Sequence, residues 1–243
     1  MSATAKRLRR RRRALGGGVR AFLVLGVWAA VAVGGILAWY GADLPAVDSL
    51  EGAVAGPRVT ILAADGTDIA GFGGLRAGGV PLAELPPALI EAVIATEDRR
   101  FASHLGIDVI AIIRAAIVNA FSGRIRQGGS TITQQLAKNL FLSPERTFGR
   151  KVREVLLALA LERRLDKDEI LALYLNRVYL GAGAWGVEAA ARTYFGKSAR
   201  EVNLAEAATL AGLLKAPSRY APSANPEGAR QRAAVVLGDM VEA

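Results

Sequence analysis

A mainly helical fold, set behind one membrane-spanning helix and a short β-hairpin, is what this sequence predicts. Three observations carry that reading. Ala21 to Tyr40 is a run of 20 residues without a charge, long enough to cross a bilayer as a helix. Val59 to Leu62 and Thr67 to Phe72 flank Asp65-Gly66, a turn dipeptide between two β-prone runs. After Pro86-Pro87, apolar residues recur at helical spacing to the end of the chain.

Charge and composition exclude several functions. The 243 residues carry a formal charge of +9. Residues 1 to 20 hold Lys6, Arg7, Arg9 to Arg13 and Arg20 with no acid, so the remaining 223 residues carry only +1. The high isoelectric point belongs to the tail and gives no support to nucleic-acid binding. The chain has no cysteine and one histidine. Disulfides, thiol chemistry and a zinc site are thereby excluded. Carboxylates leave room for a loosely held divalent cation, Mg²⁺ or Mn²⁺.

Residues 1 to 20 read as a cytoplasmic basic tail ending in a Gly-rich hinge, and residues 21 to 40 as an uncleaved signal-anchor. Trp39 and Tyr40 at its far end suit the interface, and they stand where a signal peptidase needs a small residue. Residues 41 to 56 form a linker of small residues, and 57 to 243 the main folded domain. Ile107 to Phe121 is too short to span a bilayer. It reads as a buried helix in preference to one touching the outer leaflet. Ser122 to Gly129 reads as a mobile basic loop.

Ser130 is placed to cap the next helix, on which Ser130, Gln134 and Lys138 form a polar row and Ile132, Leu136 and Leu140 an apolar one. Ser143-Pro144 reads as the start of the following helix, with Val152, Val155, Leu156 and Leu159 as its apolar stripe. Asp166 with Glu169, and Asn203 with Glu206, are capping-box pairs.

Several motifs fail. Gly196-Lys197-Ser198 resembles a phosphate loop, but Ala191 stands where the first glycine is needed. Ser-x-x-Lys and Lys-Thr-Gly, the marks of serine acylation, are absent. Chemistry concentrates instead in complementary groups. Glu97 ends an apolar run, where desolvation raises a carboxyl pKa and suits a general base. Arg99, Arg100 and His104 are expected to pull that pKa back. Taken alone, the stretch also fits a helix end with solvated charges. Glu154, also set in partly apolar surroundings, is one turn from Arg150 and Lys151; a plain surface pair would look the same. Lys138, Arg146, Arg150 and Lys151 gather cations near two helix starts, which suits a phosphate. Ser130, Thr131, Gln134 and Gln135 suit sugars or amides. A base with a phosphate clamp suits attack by a hydroxyl that expels a phosphate.

Five ordered blocks carry a family resemblance. They are Glu97-Asp98-Arg99-Arg100-Phe101-Ala102-Ser103-His104-Leu105-Gly106; Gly129-Ser130-Thr131-Ile132-Thr133-Gln134-Gln135-Leu136-Ala137-Lys138-Asn139; Arg150-Lys151-Val152-Arg153-Glu154; Tyr174-Leu175-Asn176 through Gly186-Val187-Glu188 to Gly196-Lys197; and Leu204-Ala205-Glu206 through Ala216-Pro217-Ser218. The chain resembles the peptidoglycan glycosyltransferases of family 51, over about residues 57 to 240. That resemblance implies a lysozyme-like helical fold with a smaller membrane-proximal lobe, and polymerisation of lipid II. By the same likeness, Glu97 deprotonates the acceptor's 4-hydroxyl, which attacks C1 of the lipid-linked donor, inverts it and releases undecaprenyl pyrophosphate. Glu154 is similar to the family's second essential glutamate. Lys138, Arg146, Arg150 and Lys151 match pyrophosphate-holding positions. Ser130, Thr131, Gln134, Gln135 and Asn139 match cleft residues that meet substrate. Asp98 and His104 shape the first block.

Leu214 and Ala221 depart from residues common in the family. The implied partners are lipid II, the growing glycan strand, inner-membrane lipid and other cell-wall synthesis proteins, with no nucleic acid. The sequence fits both a monofunctional enzyme and a fragment of a bifunctional class A penicillin-binding protein. A lysozyme-like hydrolase is the rival activity, and the cation set speaks against it, because hydrolysis needs no pyrophosphate clamp. A non-catalytic scaffold is the other rival, and the presence of both glutamates speaks against that.

Overall fold

The computed structural model describes residues 3–42, 44, 59–66, 68–72, 79–123, 128–143, 145 and 147–243. It divides into two compact units, Met1–Leu44 and Pro45–Ala243.

The first unit is one helix, α1 (Ala3–Ala42). It runs unbroken through Gly16, Gly17 and Gly18, where composition predicted a hinge. Glycine costs a helix about 1 kcal/mol relative to alanine but keeps its N–H, so the ladder survives. Within it, Leu23–Ala42 is 20 residues with a mean hydropathy of 2.0, long and apolar enough to cross a membrane.

The second unit is mainly α. Strands β1 (Val59–Leu62) and β2 (Asp68–Phe72) pair antiparallel, with a register shift at Ile61/Leu62. Gly66 closes the turn at φ +85°, a conformation that L side chains rarely adopt. Nine α-helices follow among the described residues; the first eight are α2 (Pro87–Glu97), α3 (Val109–Ser122), α4 (Ile132–Phe141), α5 (Phe148–Glu162), α6 (Lys167–Arg177), α7 (Val187–Phe195), α8 (Leu204–Leu213) and the single turn Pro217–Tyr220. The last helix is α10 (Pro226–Glu242), counting that turn as α9.

Two groups of helices make the core. In the first, α2, α8 and α10 pack on one another. Their contact is rich in fully buried alanine, with Ala92, Ala207, Ala208 and Ala211 between Leu89, Leu210 and Leu213. Small side chains let the axes approach closely. In the second, α4 packs on α5 and α6, through Ile132, Leu136, Leu157, Leu161, Ile170 and Leu175, all fully buried. Each such side chain contributes about 1.5–3 kcal/mol of burial. The capping boxes at Asp166/Glu169 and Asn203/Glu206 form as predicted.

Four further expectations need correction. The cap of α4 is Thr131, not Ser130, because Thr131 faces Gln134 at the third helical position and closes a capping box with it. Helix α5 starts at Phe148 under a Thr147 cap, not at Ser143-Pro144; Pro144 lies outside the described residues. The buried row of α5 is Glu154, Leu157, Ala158 and Leu161, while the predicted stripe at Val152, Val155, Leu156 and Leu159 is half-buried. Helix α3 is not buried: only Ala115 is covered, while Val109, Ile110, Ile112, Ile113, Ile117 and Phe121 are exposed. A helix that is apolar nearly all round meets the core here through one small residue. Residues 124–127 of the predicted mobile loop lie outside the described residues.

Candidate active site

Glu97 is the last residue of α2, where the first helix group meets the second. Its Oε2 accepts from Gln135 Nε2 on α4 at 2.8 Å. Burial pushes its carboxyl above the ordinary glutamate value. The Gln135 hydrogen bond, then the charges of Arg232, Lys138 and Lys215, pull it part of the way back. These are not the cations the sequence pointed to. Arg99 reaches to α10 and pairs with Asp239 at 2.9 Å and Glu242 at 3.2 Å. Arg100 lies 3.7 Å from Asp108, and His104 is bound to Asp98. Neighbours in sequence turn to other partners, and the charges beside Glu97 come from α4, from α10 and from the turn after α8.

Asp98 and His104 form a buried latch. His104 Nε2 is 3.0 Å from both Asp98 oxygens, and Gly106 N–H donates to Nδ1 at 3.2 Å. Nδ1 therefore accepts and Nε2 carries the proton that Asp98 receives. Asp98 Oδ2 also accepts from the Ile132 N–H, at the first turn of α4, at 3.0 Å. One side chain thus ties the end of α2 to the start of α4 and fixes where Glu97 and Gln135 stand. Thr131 Oγ1 adds a bond to Gly106 O at 2.7 Å.

Lys151 is the hub of the other side. Its ammonium donates to Ser130 Oγ at 2.8 Å, to Gln134 Oε1 at 3.3 Å and to the Glu154 carboxylate. Glu154 is 3% exposed, charged though it is, and sits among the helix residues that face the core. A buried carboxylate needs such a partner. Gln134 is almost wholly buried, and its Nε2 has no hydrogen-bond partner.

A cavity of about 890 Å³ runs between these groups. Of the predicted site residues, Glu97, Asp98, Ser130, Thr131, Gln135, Lys138, Arg150, Lys151 and Glu154 line it. His104 and Gln134 stand behind the wall as supports, and Asn139 is exposed on α4 away from the lining. Arg146 lies outside the described residues. Sequence reasoning missed Lys215 and Arg232, which also line the cavity, and Tyr174, whose hydroxyl reaches Gln135. No spacing signal could place Lys215 or Arg232 beside a residue more than a hundred positions earlier. The arrangement offers a carboxylate that holds its proton more tightly than usual, facing cations able to receive an anion.

A family model described as transglycosylase matches residues 65–241. Penicillin-binding protein 1A of Aquifex aeolicus is 59% identical over 163 residues, covering 67% of this chain and 22% of that protein. Penicillin-binding protein 1A of Escherichia coli is 47% identical over 228 residues, covering 92% and 27%. The chain therefore spans about a quarter of the length of these curated relatives. A crystal structure of penicillin-binding protein 1A from Haemophilus influenzae is 30% identical, with a TM-score of 0.39, and covers 76% of this chain and 18% of that one.

Proposed function

From a chain that belongs to the transglycosylase family, we infer a peptidoglycan glycosyltransferase that polymerises lipid II into β-1,4-linked glycan and releases undecaprenyl pyrophosphate. The observation that carries this reading is the pairing, in one cavity, of Glu97 with its raised proton affinity and a wall of cations. A sugar hydroxyl is a very weak acid and needs a base as the new bond forms. Glu97 takes the proton of the acceptor 4-hydroxyl. The oxygen attacks C1 of the donor from the face opposite the pyrophosphate, and the configuration inverts. Negative charge grows on the leaving pyrophosphate as the bond breaks. Lys138, Arg150 and Lys151 receive it, with Glu154 holding Lys151 in place.

Arg146 joins them by family likeness. Ser130, Thr131 and Gln135 offer neutral hydrogen bonds to the sugars. Asp98 and His104 support the base, and Gln134 supports Lys151; Asn139, exposed on α4, would meet substrate only outside the cavity. A divalent ion, where one takes part, would sit on the pyrophosphate of the substrate, whose oxygens are the hard ligands Mg²⁺ and Mn²⁺ prefer. Leu23–Ala42 spans the inner membrane with the arginine-rich end inside. The exposed apolar face of α3 meets the lipid from which the substrate is drawn.

The experiment is to incubate the purified chain with lipid II and resolve the products on a gel. Ladders of glycan are the expected result. Hydrolysed sugars without polymer would establish the lysozyme-like alternative.

A further inference from the structure

Tyr174 lies on α6 and is fully buried. Its hydroxyl donates to Gln135 Oε1 at 3.1 Å. The other end of the same amide, Nε2, donates to Glu97 Oε2 at 2.8 Å. A side-chain amide has one accepting end and one donating end, so fixing one end fixes the other. We propose that Tyr174 is a positioning residue for the reaction: by donating to Gln135 Oε1 it locks the amide with Nε2 toward Glu97, and so sets the direction and proton affinity of the base. The proposal rests on the reading of Glu97 as the base.

The lock works only while Tyr174 keeps its proton. Burial, and then the charges of Glu97 and Asp98, push its hydroxyl well above the ordinary phenol value, so it donates throughout the working range. Without that hydroxyl, Gln135 Oε1 has lost its donor, and the amide is free to turn. With the oxygen end toward Glu97, two acceptors face each other unless Glu97 is protonated. The turned amide therefore favours the acid over the carboxylate. Glu97 then holds its proton to higher pH and is a base for a smaller part of the population.

The other charged and titratable groups around Glu97 are Lys138 on α4, Arg232 on α10, Lys215 after α8 and Asp98 beside it. The three cations lower its proton affinity whichever way the amide points. Only the amide contribution depends on Tyr174, which makes the effect separable. Tyr174 lies outside the cavity lining and acts through Gln135.

The test uses the full chain in detergent micelles, labelled with ¹³C at glutamate carboxyl carbons, with a Glu97→Gln sample to assign the Glu97 signal. Tyr174→Phe keeps the ring and removes the hydroxyl. It should raise the Glu97 midpoint by roughly half a unit to one unit, the scale of one net hydrogen bond. The acid limb of kcat/KM for lipid II polymerisation should move up with it. Gln135→Met keeps the length and removes the amide, and it should give a shift in the same direction. The double variant should shift no further than Gln135→Met alone, because Tyr174 acts only through that amide. An unmoved midpoint in Tyr174→Phe, or shifts that add in the double variant, would overturn the proposal. A midpoint that moves in a protein without polymerising activity would support the lock and overturn the functional reading beneath it.

Discussion

Replacing Asp98 by alanine tests whether the first block is held together from inside. The Asp98 side chain is 3% exposed and that of His104 is 4% exposed. Asp98 accepts from His104 Nε2 at 3.0 Å and from the Ile132 N–H at 3.0 Å. Asp98→Ala strands both donors where water does not reach. Each stranded buried donor costs about 1–3 kcal/mol, so the two together cost about 2–6 kcal/mol. For a domain of this size, 1 kcal/mol lowers the melting temperature by roughly 2–4 °C. The expected fall is therefore on the order of 10 °C, read by far-ultraviolet circular dichroism of the full chain in detergent. His104→Ala should fall in the same direction, since it leaves the Asp98 carboxylate with the Ile132 N–H alone. A melting temperature within about 2 °C of wild type would refute the latch. If lipid II affinity alone suffered, Asp98 would belong with the substrate contacts.

Three further outcomes follow from the same geometry. Lys138→Ala should cut turnover by about two to three powers of ten, the scale of a lost charge contact in the transition state, with little change in melting temperature; unfolding with unchanged specific activity would overturn the clamp. Gly186→Ala should destabilise by several kcal/mol on the order of an overpacked, strained site, because Gly186 has φ +81° and a Cβ there would stand 2.6 Å from Asn176 O; a wild-type melting curve would contradict that. Glu97 holds its proton more tightly folded than unfolded. Its contribution to stability is present below the ordinary glutamate value and is lost as pH rises through the raised folded value. Glu97→Gln should accordingly melt higher than wild type at neutral pH and equal to it below about pH 4.

What the sequence made legible was local. The apolar run read at Ala21 to Tyr40 and the capping boxes at Asp166/Glu169 and Asn203/Glu206 are each written in one continuous stretch, and the structure contains them, the apolar span at Leu23–Ala42. The cap at Thr131 was legible too, since Thr131 and Gln134 have capping-box spacing, but Ser130 stands one place earlier and reads as an equally good cap. What failed was decided at long range. Arg99 sits two positions from Glu97 in the chain, yet its guanidinium goes to Asp239 and Glu242. Lys215 and Arg232 take its place beside the base only because α8 and α10 pack on α2. The burial of Glu154 was half legible: it stands among apolar residues, yet a charge one turn from Arg150 and Lys151 reads equally as a surface pair. Its partner Lys151 is what permits the buried position. The exposure of α3 was hidden, since composition alone does not say whether protein or lipid covers an apolar helix.

Glu97 as the base is the claim on which the rest depends, and the most direct measurement is turnover against affinity in Glu97→Gln. Glutamine keeps the size and the neutral hydrogen bonding but cannot take the proton. Lipid II should bind as it does to wild type, while glycan formation falls by about two to four powers of ten at every pH. Glu154→Gln, measured beside it, should lose affinity as well as turnover, because Lys151 loses the carboxylate that orients it. Near wild-type turnover in Glu97→Gln would contradict the account at its centre.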